Sequence, residues 1–197
     1  MLLLIDNYDS FTYNLYQLLG QFTPAIKVVK NDQITCAEIA ALHPAAIILS
    51  PGPGNPDDAG VSLAVVRAFS GKIPLFGVCM GMQVICQALG GQIVPAKQLM
   101  HGKTSQLQIT AGSRLFAGCP QQMTVARYHS LAVSPKQLPA NLKVTATAAD
   151  GELMAVEDPA QMIYAVQFHP ESVLTDTAAG TQLVANFLQR LPQQLAG

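Results

Sequence analysis

Three short, unbroken apolar runs mark the first half of the chain, at residues 2–5, 45–49 and 73–78. Each gives way to Gly, Pro, Asn or Asp and then to a helical pattern. Continuous rather than alternating hydrophobicity suits strands buried on both faces, as in a parallel sheet covered by helices. The first half therefore reads βαβαβα. After the first run, Asp9 or Ser10 is placed to cap a helix over 11–19, in which Phe11, Leu15, Leu18 and Leu19 share a face and Gly20 ends the run. Asp57 and Asp58 precede a helical stretch to Phe69, and Val84, Ile85, Ala88 and Leu89 form the inner stripe of a third helix closed by Gly90-Gly91. Beyond Gly91, shorter Thr/Val-rich segments at 123–128, 142–147, 153–157 and 162–168 read as strands, partly antiparallel. A last helix over 175–191 turns Leu183, Val184, Phe187 and Leu188 inward. The expected fold is α/β: a mixed, mostly parallel central sheet flanked by helices, with a small antiparallel β section in the second half. One domain is expected to span 1–197.

Composition narrows the function. Eleven basic against 12 acidic side chains leave a net charge of −1, and only 12% of residues are charged. There is no electrostatic footprint for nucleic acid or an anionic membrane. So little charge beside 50% hydrophobic residues leaves surface for a second protein to cover. The apolar start at 1–5 lacks a basic flank and is cut off by Asp6, unlike a signal peptide, and no apolar run approaches the ~18 residues of a membrane span. Cys36, Cys79, Cys86 and Cys119 show no CxxC spacing, which fits a reducing cytoplasm and gives no sign of zinc or another metal.

In an open parallel sheet, ligands gather beyond the carboxyl ends of the strands. That rule brings loops 6–10 and 50–56 and the turn after Val78 to one edge. Gly77-Val78-Cys79-Met80-Gly81 sits where a buried strand turns straight into a helix, a nucleophile elbow in cysteine form. A cysteine there stands at a helix N-terminus, whose N–H groups favour a thiolate; the alternative is a small core hydrophobe. Phe168-His169-Pro170-Glu171 supplies a base and its orienter, because Pro170 keeps the backbone extended and two-residue spacing turns His169 and Glu171 to one side. Together these give a Cys79-His169-Glu171 triad. The rigid loop containing Gly52, Pro53 and Gly54 can present amides, and the N–H groups of Gly52 and Met80 are the candidate oxyanion donors. Gln83, one helical turn after Cys79, leans back toward the site. His129 has no carboxylate at His-x-Glu spacing and reads as packed or surface; His43 and His101 read as surface and turn residues.

The elbow G-V-C-M-G-M-Q, the P-G-P-G loop and F-H-P-E-S together resemble the triad-type (class I) glutamine amidotransferases. The opening L-L-I-D-N-Y-D-S-F-T-Y-N-L, with H-G-K-T-S and R-Y-H-S-L, is similar to the glutaminase subunits of anthranilate synthase and aminodeoxychorismate synthase. The resemblance runs from Leu3 to about Arg190. It implies a flavodoxin-like fold and hydrolysis of glutamine to glutamate and ammonia without metal or organic cofactor. It also implies delivery of ammonia to a chorismate-aminating synthase subunit, for folate or tryptophan synthesis or both, with H-G-K-T-S and N-F-L-Q-R closer to the folate or dual-use type. Cys79 would be nucleophile, His169 base and Glu171 its orienter; Gly52, Gln83 and the backbone of Ser130 and Leu131 match the glutamine-binding positions. The family elbow reads C-L-G-H-Q, so Met80 and Met82 depart from it, and Met82 brings pocket polarity into question. The rival readings are a related cysteine hydrolase or deglycase with the same elbow, and a non-catalytic regulatory subunit.

Overall fold

The computed structural model describes residues 1–191; the rest of the expected 1–197 domain, 192–197, lies outside the described residues. The first half alternates β1 (Leu2–Asp6), α1 (Thr12–Gly20), β2 (Ile26–Lys30), α2 (Cys36–Leu42), β3 (Ala46–Leu49), α3 (Ser62–Phe69), β4 (Leu75–Val78) and α4 (Met80–Ala88), with a 3₁₀ turn at Pro56–Asp58. The second half holds β5 (Ile93–Pro95), β6 (Lys103–Ile109), β7 (Thr124–Arg127), β8 (Leu131–Val133), β9 (Lys143–Ala148), β10 (Leu153–Asp158), β11 (Ile163–Val166) and α5 (Thr177–Leu188). Nine strands form one sheet in the order β2-β1-β3-β4-β11-β10-β9-β6-β7, and β5 pairs with β8 in a small antiparallel sheet. Strands β2 to β11 in that order are parallel, and β10 onward continue antiparallel.

The unbroken apolar runs have a direct physical cause. Leu2, Leu4, Ala46, Ile48, Phe76 and Val78 pack on one face of the sheet with Leu15 and Leu19 of α1 and Leu183, Val184 and Phe187 of α5. Leu3, Ile5, Ile47, Leu49 and Leu75 pack on the other with Val65 and Val66 of α3 and Val84 and Ile85 of α4. Alternate residues of each strand thus feed two apolar layers, each fully buried side chain contributing about 1.5–3 kcal/mol. Phe76 stacks on Phe187 at 4.9 Å between ring centroids.

Two elements of the first half escape the hydrophobic pattern, so the βαβαβα reading is one βα unit short. Strand β2 is the sheet edge and only half buried, with Lys27 and Lys30 interrupting its apolar residues. Helix α2 buries Ile39 alone and so has no apolar stripe; its start is marked instead by a reciprocal cap between Thr35 and Glu38. Nor does Asp9 cap the first helix. Its carboxylate accepts the Phe11 N–H at 2.6 Å in the preceding turn, and the position before Thr12 has no side-chain cap. In the second half, β5, β6 and β8 lack a clear apolar pattern because they are short or face solvent. Because β1, β3, β4 and β11 run parallel, their carboxyl ends converge on one edge. Among the described residues no helix is long and apolar enough to cross a membrane.

Candidate active site

Cys79 links β4 to α4 with φ 53° and ψ −106°, a conformation that non-glycine residues rarely hold without support. The support is visible: its N–H donates to the Val166 carbonyl at 2.8 Å, and its carbonyl accepts from Met82 and Gln83 at 3.0 and 3.3 Å. The flanking glycines allow the tight turn. A Cβ at Gly77 would lie 2.5 Å from the Gly81 carbonyl oxygen, and one at Gly81 would collide with the Leu49 carbonyl. The 50–56 loop closes over this elbow, held by Asn7, whose N–H donates to Ser50 Oγ and whose amide donates to the Ser50 carbonyl, both at 2.8 Å. A Cβ at Gly52 would meet Met80 Cε at 2.5 Å and the Asn7 carbonyl at 2.7 Å.

His169 lies just past β11, where its N–H bonds to the Ala126 carbonyl of β7 at 3.0 Å. Its Nδ1 donates to Glu171 Oε1 at 2.7 Å, which fixes the tautomer and leaves Nε2 as the second ring atom. Both side chains are buried, and neither Nε2 nor Glu171 Oε2 has a hydrogen-bond partner among the described residues. Burial opposes charge on this imidazole, but the neighbouring Cys79 and Glu171 outweigh it and hold His169 well above its ordinary value. Phe11 and Tyr128 pack edge-on against the ring at 5.3 and 5.0 Å. The β1–α1 loop therefore reaches the site, and Asp9 with it: burial raises its carboxyl, the Phe11 N–H and His169 pull it down, and Glu171 adds to the rise.

Beside Cys79 lies a cavity of about 140 Å³ lined by Gly52, Pro53, Gly54, Met80, Gln83 and the 128–131 segment. That is below the ~300–1,000 Å³ of drug-sized pockets and suits a small substrate. Ser130 and Leu131 reach it for a reason of register. The Ala96 N–H bonds to the Ser130 carbonyl at 2.8 Å, so Leu131 opposite Pro95 is a non-hydrogen-bonded position whose N–H and C=O turn away from β5. The Leu131 carbonyl accepts from Gln83 Nε2 at 3.0 Å and from His129 Nδ1 at 2.9 Å. His129 is a packed, neutral residue. Burial, then the adjacent Arg127, push it down to about 4, and its Nε2 accepts from Arg127 Nε at 3.1 Å. Arg127, 1% exposed, is itself paired with Glu152 and, at 2.8 Å, with Asp150.

All the residues expected at the site meet here: Cys79, His169 and Glu171, with Gly52, Pro53, Gly54, Met80, Gln83, Ser130 and Leu131 around the cavity. Met82 does not line it; the side chain is fully buried in the apolar layer with Val84 and Ile85, so the departure from the family elbow leaves pocket polarity untouched. His43 is exposed at the end of α2 and His101 is an exposed turn residue. Four neighbours were missed: Phe11, Arg127, Tyr128 and Gln167. The last had a signal, since Gln167 interrupts an otherwise apolar strand end, yet it is fully buried and donates to Cys79 Sγ at 3.6 Å.

Comparison with known proteins shows the family. The family model of class-I glutamine amidotransferases matches residues 3–191. The chain is 52% identical over 195 residues to anthranilate synthase component 2 of Pseudomonas aeruginosa, covering 96% of each. It is 49% identical over 190 residues to aminodeoxychorismate synthase component 2 of Klebsiella aerogenes, covering 96% of this chain and all of that one. A glutamine amidotransferase crystal structure from Thermotoga maritima, at 14% identity, shares the fold with a TM-score of 0.78 over 96% of both chains. With nearly its whole described length matched, the chain belongs to the class-I glutamine amidotransferase family.

Proposed function

We propose that this chain, as a single amidotransferase domain, hydrolyses the side-chain amide of glutamine and hands the ammonia to a chorismate-aminating synthase subunit. The observation that carries the reading is the strained Cys79 beside a His169–Glu171 pair, at the mouth of a cavity sized for one small amino acid. Cys79 attacks the carboxamide carbon, the N–H groups of Gly52 and Met80 receive the developing oxyanion, and His169 passes a proton to the departing nitrogen. Water, activated by the same imidazole, then releases glutamate from the thioester. Gln83 and the Ser130-Leu131 backbone hold the rest of the substrate. The relatives' names, as second components of chorismate-using synthases, support the partner, and so does apolar surface beside the triad: Val173, two residues from Glu171, is 91% exposed, with Leu174, Tyr8 and Tyr13 also open. Aminodeoxychorismate and anthranilate synthases are both admissible partners, since the relatives of either kind are about equally similar. A cytoplasmic site of action follows from that biosynthetic role.

The test is reconstitution. The chain mixed with each candidate synthase, glutamine and chorismate should release glutamate and form aminodeoxychorismate, anthranilate or both, and Cys79→Ser should abolish this. Absence of glutamate with every synthase overturns the reading; glutamate without an aminated product overturns the partner half alone.

A further inference from the structure

We propose that Gln167 is a further catalytic residue, whose side-chain N–H holds the Cys79 sulfur and whose carbonyl ties that sulfur through Gln83 to the wall of the substrate cavity. This rests on the glutaminase reading and deepens it. Gln167 lies directly after β11 and is fully buried between Val166 and Phe168, where a primary amide is unfavourable unless its polar atoms are used. They are used: Nε2 reaches Cys79 Sγ at 3.6 Å, and Oε1 accepts from Gln83 Nε2 at 3.1 Å.

The direction of each bond is forced by its neighbours. The Arg127 guanidinium only donates, so His129 Nε2 accepts and its Nδ1 carries the hydrogen given to the Leu131 carbonyl. That carbonyl only accepts, so Gln83 must present its nitrogen there, and the same nitrogen's second hydrogen goes to Gln167 Oε1. Gln167 is left with its N–H groups toward sulfur. A donor in that place acts whenever sulfur carries an electron pair as thiolate. It does so before attack, until the sulfur pair becomes the S–C bond and the C=O π pair moves onto the oxygen; that pair then reforms the C=O bond as the C–N bond breaks and the nitrogen, protonated by His169, leaves as ammonia. It does so again when water has added, the S–C bond breaks and the pair returns to sulfur as glutamate leaves, His169 having carried the protons in both halves.

Two near-isosteric variants of the full-length chain test this. Gln167→Met removes both bonds, and Gln167→Glu keeps the acceptor for Gln83 but sets an oxygen against the sulfur. Alkylation of Cys79 by iodoacetamide at neutral pH, followed by peptide mapping, needs no glutamine. It should slow by about tenfold or more in both variants, the loss expected for one hydrogen bond to a charged atom. In glutamine hydrolysis, kcat should fall by a similar factor in both, while KM rises in Gln167→Met and stays within about twofold in Gln167→Glu, where Gln83 keeps its partner. Gln167→Asn, which retains the amide but is too short to reach, replaces either variant that does not fold. Wild-type alkylation rates in a folded variant overturn the proposal, including when only the melting temperature has dropped. If the wild-type chain hydrolyses no glutamine, the functional reading falls while the alkylation comparison still decides the role of Gln167.

Discussion

At the scale of single residues the four thiols are far from equivalent. Cys79 lines the cavity, whereas Cys86 is enclosed in the apolar layer with its thiol pushed up to about 12 by burial, and Cys119 is raised by burial and then by Asp176. An electrophilic glutamine analogue should therefore label Cys79 and leave Cys36, Cys86 and Cys119 untouched; a mapped label on any of these with Cys79 free would contradict the assignment. His169→Ala should cost about 10²–10⁴ in glutamine-dependent kcat, the range for a general acid–base, and Glu171→Ala less, because Glu171 orients the ring without carrying the proton. A larger loss for Glu171 would reverse the roles. His129 makes a different prediction. Folded, it titrates near 4 against about 6.5 in the unfolded chain, so the unfolded state takes the proton first as pH drops. Its contribution is thus full above about pH 6.5 and fades toward pH 4, by up to about 3 kcal/mol. Denaturant titrations of wild type and His129→Gln should converge over that window; parallel curves would show that the imidazole is not held neutral.

At the scale of elements, helix α4 approaches the sheet through a glycine, and the elbow depends on it. A methyl at Gly81 meets backbone, the Leu49 carbonyl, rather than a side chain that can move aside. Gly81→Ala should destabilise the fold by about 2 kcal/mol or more, seen as a lowered denaturation midpoint with an unchanged slope, and should cut activity by shifting Cys79 from the cavity. Full stability would mean that α4 moves away from β3 at little cost. The β1–α1 loop is fixed just as firmly. The Asp6 carboxylate accepts from the N–H groups of Tyr8 and Asp9, from Thr12 Oγ1 and from Lys30; burial works to raise its carboxyl, but Lys30, Thr12 and the Asp9 N–H outweigh it and hold it below the usual range. The loop that presents Phe11 to His169 is therefore preorganised rather than loose.

For the whole molecule, Val173 and Leu174 are exposed two and three residues past Glu171, and the proposed synthase is expected to cover them. A complex carrying Cys79→Ser should lose glutamine-driven amination and keep amination driven by ammonium salt at raised pH, since the synthase needs free NH₃ from any source. Loss of both would mean that Cys79 also supports the partner's structure. The isolated chain should be a weak glutaminase activated by docking, and a tenfold gain needs only about 1.4 kcal/mol of differential binding between resting and competent states. Steady-state hydrolysis with and without the synthase measures this; full activity alone would remove the gating role.

The sequence by itself determined the buried parallel strands β1, β3 and β4, because two apolar layers demand strands without polar breaks, and it determined the elbow and the His-Pro-Glu segment, because their chemistry depends on neighbours in the chain. It did not reveal β2 and α2, whose shallow burial leaves no pattern. The tertiary structure alone decided that Met82 faces the core, that His129 is packed and held neutral rather than lying on the surface, and that Gln167 touches the nucleophile. Met82 is turned inward by the orientation of α4 against the sheet, Gln167 meets Cys79 from 88 residues away, and His129 is held between Arg127 and Leu131 only because the folded chain packs all three groups together. A polar side chain's role depends on what surrounds it, and that is settled only when the elements have packed.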